Sequence, residues 1–181
     1  MAKKRLSAAT YVTRGYGQVE PNHLSAQRTG EIYAQLPCKK DILALDNGMF
    51  MKYDYANGEV NTTGAGEWML VYNEVKIYDE REIEEDFSMI KENYTSGEMT
   101  PRLFKTHEGD IYTTNCIMAG DAEPAAGDVY APTETTVTEG TATYKVGILT
   151  KTEAATGMRF EVAKVYTLAD GQKAVKLMRI A

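Results

Sequence analysis

Two histidines, two cysteines and one dense run of acids are the obvious chemical candidates in this chain of 181 residues. His23 lies in a polar stretch, and His107 lies in Lys105-Thr106-His107-Glu108-Gly109-Asp110, which reads as a hairpin turn. Cys116 could meet His107 in space as a nucleophile–base pair. It falls inside the strand-like run from Ile111 to Met118, however, where a cysteine is far more often core than reactive. No GxSxG, HExxH, GxxxxGK[ST] or CxxC occurs, and Gly15-Tyr16-Gly17 lacks the third glycine and the preceding apolar strand of a dinucleotide site. Glu80, Glu82, Glu84, Glu85 and Asp86 lack the residue order of a calcium loop and read as a solvated charged face. The sequence therefore predicts no catalytic residue, no metal and no cofactor.

What must position any functional group is one domain, by length. A body of about 140 residues buries roughly two-thirds of its unfolded surface and needs no covalent staple. Cys38 and Cys116 are expected to be free thiols of a protein made in a reducing cytoplasm. MAKKRL has the charge of a secretion signal, but SAATYVTRGYGQ follows where an apolar stretch is required. No run approaches the ~18 apolar residues of a membrane span, so no membrane partner is expected.

Strand signals dominate the body. Ile42–Leu45 and Met49–Tyr53 flank Asp46-Asn47-Gly48, which predicts a hairpin, and Asn57-Gly58 repeats the signal before Glu59–Asn61. Glu67 to Tyr78 is the longest strand candidate, with Trp68, Leu70 and Tyr72 on one parity and Val75 and Ile77 on the other. That switch predicts a bulge or break near Asn73. Gly157–Leu168 and Gln172–Ile180 alternate around Asp170-Gly171 and predict a C-terminal hairpin, with Met158, Phe160 and Val162 on one face of the first strand and Val175 and Leu177 on one face of the second. Residues 79–93 are acidic and place Ile83, Phe87 and Ile90 at helical spacing, which fits a short helix or an acidic surface excursion. Residues 119–143, rich in Ala, Gly, Thr and Pro, read as a long surface loop. The expected fold is all-β: an antiparallel small barrel or sandwich, β-tulip-like, over residues 41–181.

Residues 1–40 differ from that body. They carry seven Lys or Arg against two acids, while the rest carries thirteen against twenty-four. Few large aliphatic residues occur there, so the segment reads as an extended basic N-terminal arm. Its charges are too sparse for a nucleic-acid arm, and no direct nucleic-acid contact is expected. Arg and Tyr are enriched where interfaces carry energy, and extended segments can add a strand to a neighbour's sheet. Lys3, Lys4, Arg5, Arg14 and Arg28 are the expected docking charges, and Tyr11, Tyr16 and Tyr33 the expected buried anchors. Folding of this arm back onto its own body is the competing expectation.

Five stretches together resemble one family. They are Tyr11–Leu36 (YVTRGYGQVEPNHLSAQRTGEIYAQL), Gly48–Asn61 (GMFMKYDYANGEVN), Glu67–Glu80 (EWMLVYNEVKIYDE), Pro101–Asn115 (PRLFKTHEGDIYTTN) and the terminal KLMRI. The pattern is similar to the head decoration, or auxiliary capsid, proteins of tailed bacteriophages. The resemblance implies a non-enzymatic virion protein on the capsid surface, with the major capsid protein and neighbouring copies of itself as partners. It would cement the shell, each weak contact multiplied by many copies. The longer arm and acidic insertion depart from the trimeric members of that family. An adhesin that binds host-surface glycan through residues 119–143 is the alternative.

Overall fold

The structure, a computed structural model, describes residues 10–12, 17–23, 31–73, 89–90, 99–168 and 171–181. The chain is all-β, and no helix occurs among the described residues. Among the described residues thirteen strands follow in order: β1 Val19–His23, β2 Ile32–Tyr33, β3 Ala44–Leu45, β4 Phe50–Asp54, β5 Glu59–Asn61, β6 Met69–Val71 and β7 Met89–Ile90. They continue with β8 Leu103–Phe104, β9 Ile111–Thr114, β10 Val129–Glu139, β11 Ala142–Lys151, β12 Phe160–Thr167 and β13 Lys173–Arg179. One antiparallel sheet, β1-β9-β13-β12-β10-β11-β4-β6-β8-β2 with β5 beside β4, curls into a half-barrel, and β3 pairs separately with β7.

Alternation along the central strands feeds two hydrophobic cores. Phe50, Leu70, Phe104 and Leu149 face one core, which also holds Tyr112, Tyr130, Phe160, Val162, Val175 and Leu177. Their neighbours Met49, Met51, Met69, Val71, Leu103 and Ile148 face the other, with Val12, Ile42, Val60 and Tyr144. β4, β6 and β8 are thus walls buried on both faces. This is why their sequence reads as a continuous apolar run. The predicted parity of Trp68, Leu70 and Tyr72 holds, since Trp68 and Tyr72 pack beside Leu70. The strand itself stops at Val71, just before the expected break at Asn73.

The C-terminal hairpin forms as its alternation predicts, with a register shift between Val162 and Lys164. So does the hairpin at Asn57-Gly58, where Lys52 faces Asn61 and Asp54 faces Glu59. The Asp46-Asn47-Gly48 hairpin does not. Met49 N–H closes a turn onto Asp46 O at 3.2 Å, but Ala44 and Leu45 pair with Ile90 and Met89 instead. Those two partners also correct part of the helical reading of residues 79–93; residues 79–88 and 91–93 lie outside the described residues.

The loop expected at 119–143 is corrected as well. Residues 129–139 form the longest strand among the described residues, paired with β11 from Tyr130↔Lys151 to Glu139↔Ala142. Thr and Val are β-branched and suit a pleated strand, so the threonine run extends the chain rather than looping it. Thr152 N–H donates to Val129 O and Val162 N–H to Asp128 O, so even-numbered residues of β10 turn their main chain away from β11. Pairing with β12 ends at Tyr130↔Phe160. The next even position is Pro132, which has no N–H to continue it.

The described parts of residues 1–40 belong to this fold rather than to a separate arm. Thr10 bridges Met118, Val12 is fully buried, β1 pairs with β9, and β2 pairs with β8. Gly17 sits so close that a Cβ there would lie 2.4 Å from Asn47 O. Cys38 N–H reaches Met99 O at 2.7 Å, and Lys39 N–H reaches Val60 O at 2.9 Å. The physical reason is that β9 and β8 would otherwise end the sheet with unpaired main-chain groups, and extended segments satisfy them.

Candidate functional site

Of the eight residues expected to dock a partner, Tyr11 and Tyr33 are described. Lys3, Lys4, Arg5, Arg14, Tyr16 and Arg28 lie outside the described residues. Tyr11 packs against the aromatic core, where burial and then Glu123 raise its hydroxyl pKa. Tyr33 meets the Tyr53 ring edge-on, with centroids 5.8 Å apart. Both rings therefore spend contact area on the chain's own body, which favours the self-packing expectation for these two residues.

The sulfur and imidazole candidates also have structural surroundings. Cys116 is fully buried, and burial holds its thiol well above the ordinary value, so it stays protonated at neutral pH. His107 Nε2 lies 2.8 Å from Glu31 Oε2, close but not aligned as a hydrogen bond. Lys105 N–H donates to Glu31 O at 2.9 Å, so this corner ties the residues before β2 to the β8–β9 turn. No group of three His, Cys, Asp or Glu able to hold a metal occurs among the described residues.

One concavity arises where β11 leaves β4. Gly48 N–H bonds Val71 O and Val71 N–H bonds Met49 O, so odd-numbered residues at the start of β4 turn their main chain to β6. Even-numbered residues turn it to the other side. There Phe50 pairs with Gly147 of β11, but Lys52 and Asp54 pair with Asn61 and Glu59 of β5. β5 thus takes the place along β4 that β11 vacates. Gly147 makes the junction possible: a Cβ there would lie 2.6 Å from Phe50 O and 2.8 Å from the Trp68 ring.

Beyond this junction lies a cleft of about 440 Å³. It is lined by Thr143, Tyr144 and Lys145 of β11, Thr136 of β10, Asn61, Thr62 and Thr63 at and after the end of β5, and Lys39, Asp41 and Ile42. Its walls are braced. Asn61 Oδ1 accepts from Thr63 N–H at 2.9 Å and Gly64 N–H at 2.8 Å, which fixes the turn after β5. Thr62 Oγ1 donates to Glu134 Oε2 at 2.6 Å, and Lys145 Nζ reaches Glu134 Oε1 at 2.5 Å. Lys145 first and then Thr62 hold the Glu134 carboxyl below its ordinary value. Lys39 pairs with Asp41 at 3.1 Å. Its lining mixes hydroxyls and paired charges with the buried Ile42 and Tyr144.

The chain matches no family model, no curated protein and no solved structure. The cleft had little signal in the sequence. Two of its ten lining residues, Thr136 and Thr143, come from the stretch read as a loop, and the one local cue is Gly147 between Val146 and Ile148, since a glycine inside a strand marks a close approach.

Proposed function

We propose that this chain is a non-enzymatic virion protein that binds the outer surface of an assembled capsid and stabilises it. The observation that carries the reading is where the described anchors fall in the sequence. Thr10 bridges Met118, Val12 and Gly17 are buried, and β1 and β2 pair at the two ends of the sheet. Lys3, Lys4 and Arg5 precede the first anchor, Arg14 falls between Val12 and Gly17, and Arg28 falls between β1 and β2. Each basic group is thereby tethered within a few residues of the half-barrel, while the rest of the chain is acidic. A tethered basic set meets an acidic protein surface with less entropy lost than a free tail would.

Deleting residues 1–36 would remove β1 and β2, so charge reversal in the full chain is the cleaner test. Heads purified without this protein would be mixed with it and pelleted. The chain should co-sediment at a fixed ratio and raise the temperature of head rupture. Changing Lys3, Lys4, Arg5, Arg14 and Arg28 to Glu should abolish both effects and leave the chain's own melting unchanged. Full binding by that variant, or wild-type binding with no thermal shift, would sink the reading. The glycan-adhesin alternative loses its basis, because residues 129–139 are a paired strand and Tyr130, their one aromatic, is 1% exposed.

A further inference from the structure

We propose that the outer face of β12 and β13 docks onto an acidic protein surface, with Lys164 and Lys176 as its charged centre. The starting observation is a like-charge pair. Lys164 of β12 lies directly opposite Lys176 of β13, set there by the register shift between Val162 and Lys164. Like charges so placed destabilise a sheet. In this chain, of net charge −6, other lysines are neutralised. Lys39, Lys105, Lys145, Lys151 and Lys173 each have a carboxylate within 3.1 Å. Lys164 and Lys176 have none among the described residues, and Lys176 meets only the Tyr166 ring, at 5.9 Å. The acid that shares their row is engaged elsewhere. Lys176 pairs with Thr113 of β9 and Thr113 with Glu20 of β1, but Glu20 accepts from the Tyr166 hydroxyl.

The surroundings choose the partner. Ile111 and Met178 pair across β9 and β13 in the next row of this face, are half-buried, and join neither core. Apolar side chains beside unpaired cations suit a protein interface with an apolar centre and a polar rim. An isolated ion pair on an open sheet face contributes almost nothing in water. The lysines therefore gain from a partner only where a larger surface covers them and excludes water. Glu20 and Glu161 stand on the same face, which disfavours a continuous polyanion such as nucleic acid. Separate carboxylates on a folded protein can meet the lysines and avoid these acids.

The face also runs towards the tethered basic groups. β1 is the outermost of the four strands β1-β9-β13-β12, and Arg14 and Arg28 flank it in the chain. The inference rests on the capsid-binding reading and names the face that meets the shell.

The test uses the full chain and the same purified heads. Lys164→Glu with Lys176→Glu keeps a like-charge pair in place, so the fold bears the same repulsion. Head binding by this variant should weaken at least about tenfold. Lys151→Glu with Lys173→Glu changes the net charge equally, at lysines that already have partners, and should weaken binding less than about threefold. Lys164→Glu alone turns repulsion into attraction and should raise the melting temperature of the free chain by about 1–3 °C. Unchanged head binding by the Lys164/Lys176 variant would overturn this inference and leave the capsid reading standing. A wild-type chain that ignores heads would end both. Equally strong binding of the wild type to duplex DNA, lost in the Lys164/Lys176 variant, would overturn the choice of partner. A lower melting temperature for Lys164→Glu would overturn the inference too, because the pair would then already be relieved.

Discussion

On one side of β4, β6 and β8 the core is aromatic, and on the other it is rich in methionine. Phe50 and Phe160 lie with centroids 5.6 Å apart, and Tyr112 meets Phe160 edge-on at 5.7 Å. The opposite core takes Met49, Met51, Met69, Met89 and Met99, five of the chain's nine methionines. Aromatic rings fix their neighbours through shape, whereas methionine adapts to irregular gaps. The difference also follows the strands. The hairpin β12–β13 gives Phe160, Val162, Val175 and Leu177 to the aromatic core, whereas β10–β11 gives Val137, Tyr144, Val146 and Ile148 to the methionine core, which short strands such as β3 and β7 also line. The region that holds the cleft is therefore the more adaptable one.

Substitution tests this contrast directly. Phe160→Ala should cost about 3–5 kcal/mol, measured by urea unfolding, because the ring is fully buried among aromatic partners that cannot collapse around the loss. A larger cost for Met51→Ala than for Phe160→Ala would reverse the proposed ranking of the two regions. Gly147→Val should cost about 1–3 kcal/mol or more, since Phe50 O is main chain and cannot step aside. Its effect should appear first as faster amide exchange around the β11–β4 junction. Met51→Leu should cost under about 1.5 kcal/mol, as a volume-conserving change in an adaptable core; a cost near that of Phe160→Ala would refute the adaptability.

The smallest effect is visible only in alkali. Burial raises Cys38 from 9.0 to about 12 and Tyr130 from 10.0 to about 12, the latter with help from Asp128. A raised pKa in the folded state means that stability is full below the unfolded value and falls as pH rises through the folded one. The methionine core, through Cys38, should begin to lose stability above pH 9.0, and the aromatic core, through Tyr130, above pH 10.0. Tyr130→Phe should flatten the second decline and change little at neutral pH. An unchanged alkaline profile in that variant would remove Tyr130 from the account.

The same contrast explains what the sequence could show. Phe160 and Val162 opposite Val175 and Leu177 are legible because each hairpin strand carries its own alternation and its partner is near in the chain. Ala44 and Leu45 carry a strand signal too, yet their partner is Met89–Ile90, far along the sequence, and the adjacent Asn47-Gly48 mimics a hairpin. Thr133, Thr135 and Thr136 looked like loop because composition hides that β-branched residues suit an extended chain. The cleft was illegible for a related reason: no local pattern records that β5 displaces β11 along β4.

Pro132 has a consequence for the protein at high concentration. Beyond Tyr130, β10 has no partner strand on its outer side among the described residues, and such an edge can recruit further chains without limit. A proline at the first open position withholds a donor where that recruitment would start. The ordered aggregation that an open strand invites in concentrated solution is thereby held back.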